Sequence, residues 1–155
     1  MGKKTFYFSV CIFVLLAGAI VVENINYRKQ AGNFEKFLDT DITNIIVLYN
    51  NREIIPKKEN ANLVRVFCAF INESKKSQDD LRRGEAKNNI RLKLINDAFD
   101  YYEIVVSYAE EKDIVRITFY DKTNNCFQQC YYKNSIFNEF KLSLNNVISI
   151  YSNES

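Results

Sequence analysis

The chain has 155 residues, with 21 Lys or Arg, 19 Asp or Glu, no histidine, no tryptophan, 4 glycines and 1 proline. That length allows one small domain beside any membrane segment. The near-balanced charge excludes a general nucleic-acid binder, which needs a cationic excess, and the missing histidine removes the commonest general base, triad partner and zinc nitrogen ligand.

The chain opens on Thr5 to Val22, an uncharged run preceded by Lys3 and Lys4 and ended by Glu23. Its 18 residues span about 27 Å as a helix. A membrane anchor needs roughly 17–25 apolar residues. A signal peptide has a shorter apolar core and a small-residue cleavage site, which Ala17-Gly18-Ala19 can supply. The run continues through Ile20, Val21 and Val22, which favours an uncleaved anchor; cleavage near Ala19 is the alternative. Lys3 and Lys4 place the N-terminus in the cytoplasm by the positive-inside rule, and Arg28 and Lys29 weaken that orientation. Either way residues 24–155 lie across the membrane, anchored or secreted. Without Lys3 and Lys4 the rest carries 19 basic against 19 acidic residues. Gly2 lacks the Ser or Thr at position 6 that myristoylation requires, because that position is Phe6.

Residues 23–33 are polar and read as a tether. Phe34, Phe37 and Leu38 suggest one short helical turn capped by Asn33. Ile42 to Tyr49 reads as a central strand, apolar on both faces. Asn50-Asn51 fits a tight hairpin turn, and Glu53-Ile54-Ile55 a return strand stopped by Pro56. Asn60 to Glu73 reads as a helix with Leu63, Val64, Phe67, Phe70 and Ile71 on one stripe and Cys68 beside it.

Ser74 to Asn89 reads as a charged loop. The stretch from Lys75 to Lys93 holds seven cations: Lys75, Lys76, Arg82, Arg83, Lys87, Arg91 and Lys93. They can form an interaction patch for an acidic partner or for anionic lipid. The plainer reading is a solvated loop whose field is offset by Asp97, Asp100, Glu103, Glu110, Glu111 and Asp113.

From Ile90 the apolar period becomes two. Four alternating runs, through Leu94, Tyr102–Tyr108, Ile114–Tyr120 and Cys126–Tyr132, predict an antiparallel meander with one face buried. The tail returns to helical spacing at Phe137, Phe140, Leu144, Val147, Ile148 and Tyr151, with Asn134 or Ser135 as N-cap. This helix should cover Val115, Ile117 and Phe119. Phe140→Ala should then destabilise the fold strongly, and Lys141→Ala by no more than about 0.5 kcal/mol. The expected fold class is α+β: an N-terminal transmembrane helix, then a small antiparallel sheet (hairpin plus meander) covered on one face by helices. The expected divisions are 1–22 anchor or signal peptide, 23–33 tether, 34–151 one domain and 152–155 tail.

Chemistry is sparse. The glycines are isolated, so no phosphate-cradling loop exists, and no run matches a calcium loop. No cofactor or metal site is expected. Cys68, Cys126 and Cys130 are candidate redox residues. Cys126 and Cys130 would lie about 13 Å apart in a regular strand, too far for a disulfide, although a bulge or turn there would permit one; one disulfide among the three cysteines is the alternative to unpaired strand cysteines. Asn72-Glu73-Ser74 and Asn153-Glu154-Ser155 match the glycosylation acceptor, a pattern that an Asn-rich chain produces by chance. The leading expectation is a membrane-tethered binding module without catalytic activity, working outside the cytoplasm on a protein partner. An immunity-type inhibitor, an assembly accessory or an envelope sensor fits that description. The alternatives are a small enzyme using Asp97 or Asp100 and Asp39 or Asp41 with a tyrosine, or a lipid-docking module acting through residues 75–93.

Overall fold

A computed structural model describes residues 3–38, 41–50, 52–79, 81, 85–98, 101–122 and 126–152. Two compact units divide the chain, Met1–Lys36 and Phe37–Ser155. Helix α1, Lys3–Leu38, is unbroken over 36 residues, about 54 Å of helix. Its apolar part is exposed all round, with Phe13 and Leu15 each at 73%, and it is long and apolar enough to cross a membrane or to act as a signal sequence.

The helix does not end where the apolar run ends. Residues 23–33 are helical, Asn33 lies inside α1 rather than capping a new turn, and Phe34, Phe37 and Leu38 belong to its last turns. The physical reason is cooperative: once a helix is nucleated, each further residue adds a hydrogen bond. Glu, Arg, Lys, Gln and Ala propagate it well, and no proline intervenes. Asn24 Nδ2 donates back to the Ile20 carbonyl at 3.4 Å, so that side chain is also turned onto the helix.

The second unit is α+β. Its strands are β1 Ile42–Tyr49, β2 Arg52–Ile54, β3 Lys76–Ser77, β4 Asn88–Asn96, β5 Tyr101–Tyr108, β6 Ile114–Tyr120 and β7 Cys126–Tyr132; its helices are α2 Asn60–Glu73 and α3 Ser135–Ser152. All strands join one antiparallel sheet in the order β2-β1-β4-β5-β6-β7-β3. The expected hairpin and meander therefore fuse, because β1 pairs with β4. Asn50 takes the positive φ of the β1–β2 turn, at 49°; Asn51 lies outside the described residues.

Register puts every second residue on one face. Val47, Leu92, Ile104 and Phe119 stand in line across four strands, and each is at most 1% exposed. Helices α2 and α3 cover this face. Phe70 meets Tyr131 of β7 with ring centroids 6.2 Å apart, Phe137 meets Tyr108 of β5 at 5.3 Å, and Phe67 meets Phe140 between the helices at 5.6 Å. The α2 stripe differs from expectation at one place: Val66 is buried and Val64 is half-buried. Asn134 Oδ1 accepts the Phe137 N–H at 3.0 Å, so Asn134 is the α3 N-cap.

Asn60 seals part of the outer edge of β1. Its Oδ1 accepts the Ile45 N–H at 2.9 Å, and its Nδ2 donates to the Thr43 carbonyl at 2.8 Å. A neighbouring strand would make the same two bonds, so one carboxamide stands in for it where β2 stops. At the far end of α3, the Tyr151 hydroxyl accepts the Lys57 N–H at 3.0 Å and donates to Glu59 Oε2 at 3.1 Å. That contact ties the last helix to the linker ahead of α2.

Candidate functional site

The described cations of the basic stretch lie on separate elements, Lys76 on β3 and Arg91 and Lys93 on β4. Lys75 and Lys76 sit at the β3 edge, where the Lys75 carbonyl accepts the Tyr132 N–H at 2.9 Å. Lys87 pairs with Glu111 at 2.6 Å, Arg91 with Glu103 at 3.6 Å and Lys93 with Glu53 at 3.9 Å. Antiparallel pairing sets two of these pairs, since β4 carries Arg91 beside Glu103 of its neighbour β5 and Lys93 within reach of Glu53 on β2, beyond β1. Lys87 also holds the exposed Glu111 carboxyl below its ordinary value, mainly through their hydrogen bond. Arg82 and Arg83 lie outside the described residues.

The candidate carboxylates are partly brought together. The Asp97 N–H donates to the Asp41 carbonyl at 3.1 Å, so the two acids share one end of the β1–β4 ladder. Both are exposed to water. A general acid or base needs a sheltered setting to tune its proton affinity. Asp39 and Asp100 lie outside the described residues. Among the described residues no group of three or more His, Cys, Asp or Glu is placed to hold a metal ion.

None of the four cysteines forms a disulfide. Cys126 and Cys130 lie in one regular strand, the first exposed and the second buried. Cys68 is half-buried in α2, and burial, reinforced by the Asp41 charge, pushes its thiol pKa up. A raised pKa leaves less thiolate, the reactive form. Asn72 is exposed at the end of α2, and the Ser74 hydroxyl beside it accepts from Asn134 Nδ2 at 3.1 Å. Asn153 to Ser155 lie outside the described residues.

Two groupings escaped the sequence reading. One surrounds the β5–β6 turn. Lys133 Nζ donates to the Ala109 carbonyl, Lys141 Nζ bonds both Glu110 oxygens at 2.7 and 2.9 Å, and Lys141 lies 5.0 Å from the Tyr108 ring centroid. Burial lowers the Lys133 pKa and raises that of the Tyr108 hydroxyl. Both lysines have partners in the chain, so Lys141 and Glu110 lock α3 to the turn.

The other is the sheet face opposite α2 and α3. Tyr101, Glu103, Arg116 and Tyr120 are half-exposed there, and Arg91, Gln128 and Tyr132 are exposed. Lys93 Nζ lies 4.4 Å from the Tyr101 ring centroid. Arg116 stands in a cross-strand row with Ser107 and Cys130, and its Nη1 donates to the Leu81 carbonyl at 2.8 Å. Its Nε is buried without a hydrogen-bond partner among the described residues. The face combines tyrosines, ion-paired side chains and amides with the buried Ser107, Thr118 and Cys130. The sequence signal for it was the polar half of each alternation, which says that a face is wet but not which side chains it gathers.

The family models, the curated proteins and the solved structures searched for likeness to this chain give no match.

Proposed function

We propose that this chain is a membrane-tethered, non-catalytic binding module whose soluble domain works outside the cytoplasm and meets a protein partner through the open face of its sheet. The observation that carries the reading is that face. Seven antiparallel strands bury one side under two helices; on the other, Ser107, Thr118 and Cys130 are buried, while Tyr101, Glu103, Tyr120, Gln128 and Tyr132 stay half-exposed or exposed. Tyr and Arg are over-represented where proteins bind proteins, because each offers a large contact area with a polar tip. The pairing of Lys87, Arg91 and Lys93 with carboxylates speaks against lipid docking through that stretch. The exposure of Asp41 and Asp97 speaks against the carboxylate enzyme. The tether rests on the length and even exposure of the apolar part of α1.

Photo-crosslinking in the native membrane tests the reading. A photoreactive residue at Tyr120 or Gln128 should capture one discrete partner, and one at Leu142 on the outer side of α3 should not. Equal capture from all three positions would overturn the assignment of the face. Mass spectrometry of the membrane fraction tests the tether, since a mature chain starting at Ile20 would overturn it and leave export intact.

A further inference from the structure

The continuity of α1 places two cations at a defined height above the span. Arg28 and Lys29 follow the apolar run, and both are exposed. Were residues 23–33 slack, their distance from the bilayer would vary. They are helical, so each residue adds 1.5 Å. A bilayer has about 30 Å of hydrocarbon and about 40–45 Å in total, which leaves about 5–8 Å of headgroups on each side. Centring Thr5–Val22 in the hydrocarbon puts its outer boundary beside Glu23. The Arg28 and Lys29 backbones then sit about 7 and 8 Å beyond that boundary. In a helix the Cα–Cβ bonds tilt toward the N-terminus, here back toward the bilayer. Both long side chains therefore lean into the headgroup layer. They leave the helix about 100° apart, so they reach headgroups on two sides of it.

We propose that Arg28 and Lys29 bind lipid headgroup phosphates and so fix the depth of α1 in the membrane. The proposal rests on the anchor reading. Its ligand is the phosphodiester oxygen, which a guanidinium grips through paired N–H groups and an ammonium as a point charge. The same residues blur the positive-inside signal. Their role in this reading is to grip the outer leaflet rather than to choose the orientation.

Because the chain has no tryptophan, Tyr27→Trp introduces a single depth reporter into the full-length protein. The protein is reconstituted in phosphatidylcholine vesicles carrying bromine either near the headgroup or deep in the acyl chains. Quenching should be strongest from the shallow bromine. Adding Arg28→Gln and Lys29→Gln should shift the strongest quenching to deeper bromines, because a neutral pair sinks at lower cost. The exchange Arg28→Lys with Lys29→Arg should keep the shallow profile. Identical depth profiles with and without the cations would overturn the phosphate contact and leave the anchor standing. A reporter quenched at neither depth would overturn the anchor itself, and the contact with it.

Discussion

Phe140→Ala tests how the second unit is held together. Phe140 is fully buried, and its ring centroid lies 5.6 Å from that of Phe67, 6.3 Å from Phe70 and 6.5 Å from Phe137. Truncating a buried phenylalanine costs about 3–5 kcal/mol, and each aromatic pair is worth about 0.5–1.5 kcal/mol beyond its area. With three ring partners the loss belongs at the upper end, about 4–5 kcal/mol, against a total stability of roughly 5–15 kcal/mol. A urea titration followed by tyrosine fluorescence reads it as a fall in midpoint at unchanged slope. The silent control has to be Leu142→Ala, which is 63% exposed and should change stability by less than about 0.5 kcal/mol. Lys141 looked silent in the sequence but is not a neutral control. Its side chain is 20% exposed, paired with Glu110 and set over Tyr108. Equal, small losses for Phe140→Ala and Leu142→Ala would mean that α3 does not cover the sheet.

Asn60→Ala removes two backbone-directed hydrogen bonds from the β1 edge and should cost about 1–3 kcal/mol, read in the same titration. Asn60→Asp keeps the acceptor for Ile45 but sets a carboxylate against the Thr43 carbonyl, so it should recover part of the loss at most. Tyr151→Phe should cost about 1 kcal/mol by freeing Lys57 and Glu59, and faster amide exchange at Lys57 would identify the cause. Alkylation by iodoacetamide at pH 8 should run in the order Cys126, Cys68, Cys130, following exposure and the raised Cys68 pKa; a Cys68 that reacts as fast as Cys126 would refute the account. Because the folded Cys68 pKa lies above its unfolded value, its contribution to stability is whole below the ordinary thiol range and falls as pH rises through it, a slope that Cys68→Ser should remove.

The sequence carried the elements whose periodicity is long and clean. The α2 bounds match the expected Asn60–Glu73, because five apolar residues at helical spacing leave little latitude. The meander and α3 were legible for the same reason. The two-residue β3 was not, because Lys76 and Ser77 have no period of their own and are strand through their pairing with Tyr131 and Cys130. Nor was the continuation of α1, since residues 23–33 mix good helix formers with three asparagines and a glycine, and the helix runs on through them by cooperative propagation. The charges of the 75–93 stretch were visible and their partners were not. Arg91 finds Glu103 only after the β4–β5 register is set, and Lys93 finds Glu53 from a strand two places away in the sheet. The polar face was readable as wet; which tyrosine stands beside which cation depends on cross-strand neighbours.

The sheet ends on one side in a strand of three residues and on the other in a strand of two. Unpaired strand edges recruit other chains, and very short edge strands are one way proteins blunt that tendency. The hazard is greater for a protein held in a plane, where neighbours meet at high local concentration and in similar orientation. Arg52 and Glu53 add charge to one rim and Lys76 to the other. With both rims this short and charged, crowded copies of this domain should slide past one another without zipping into a continuous sheet.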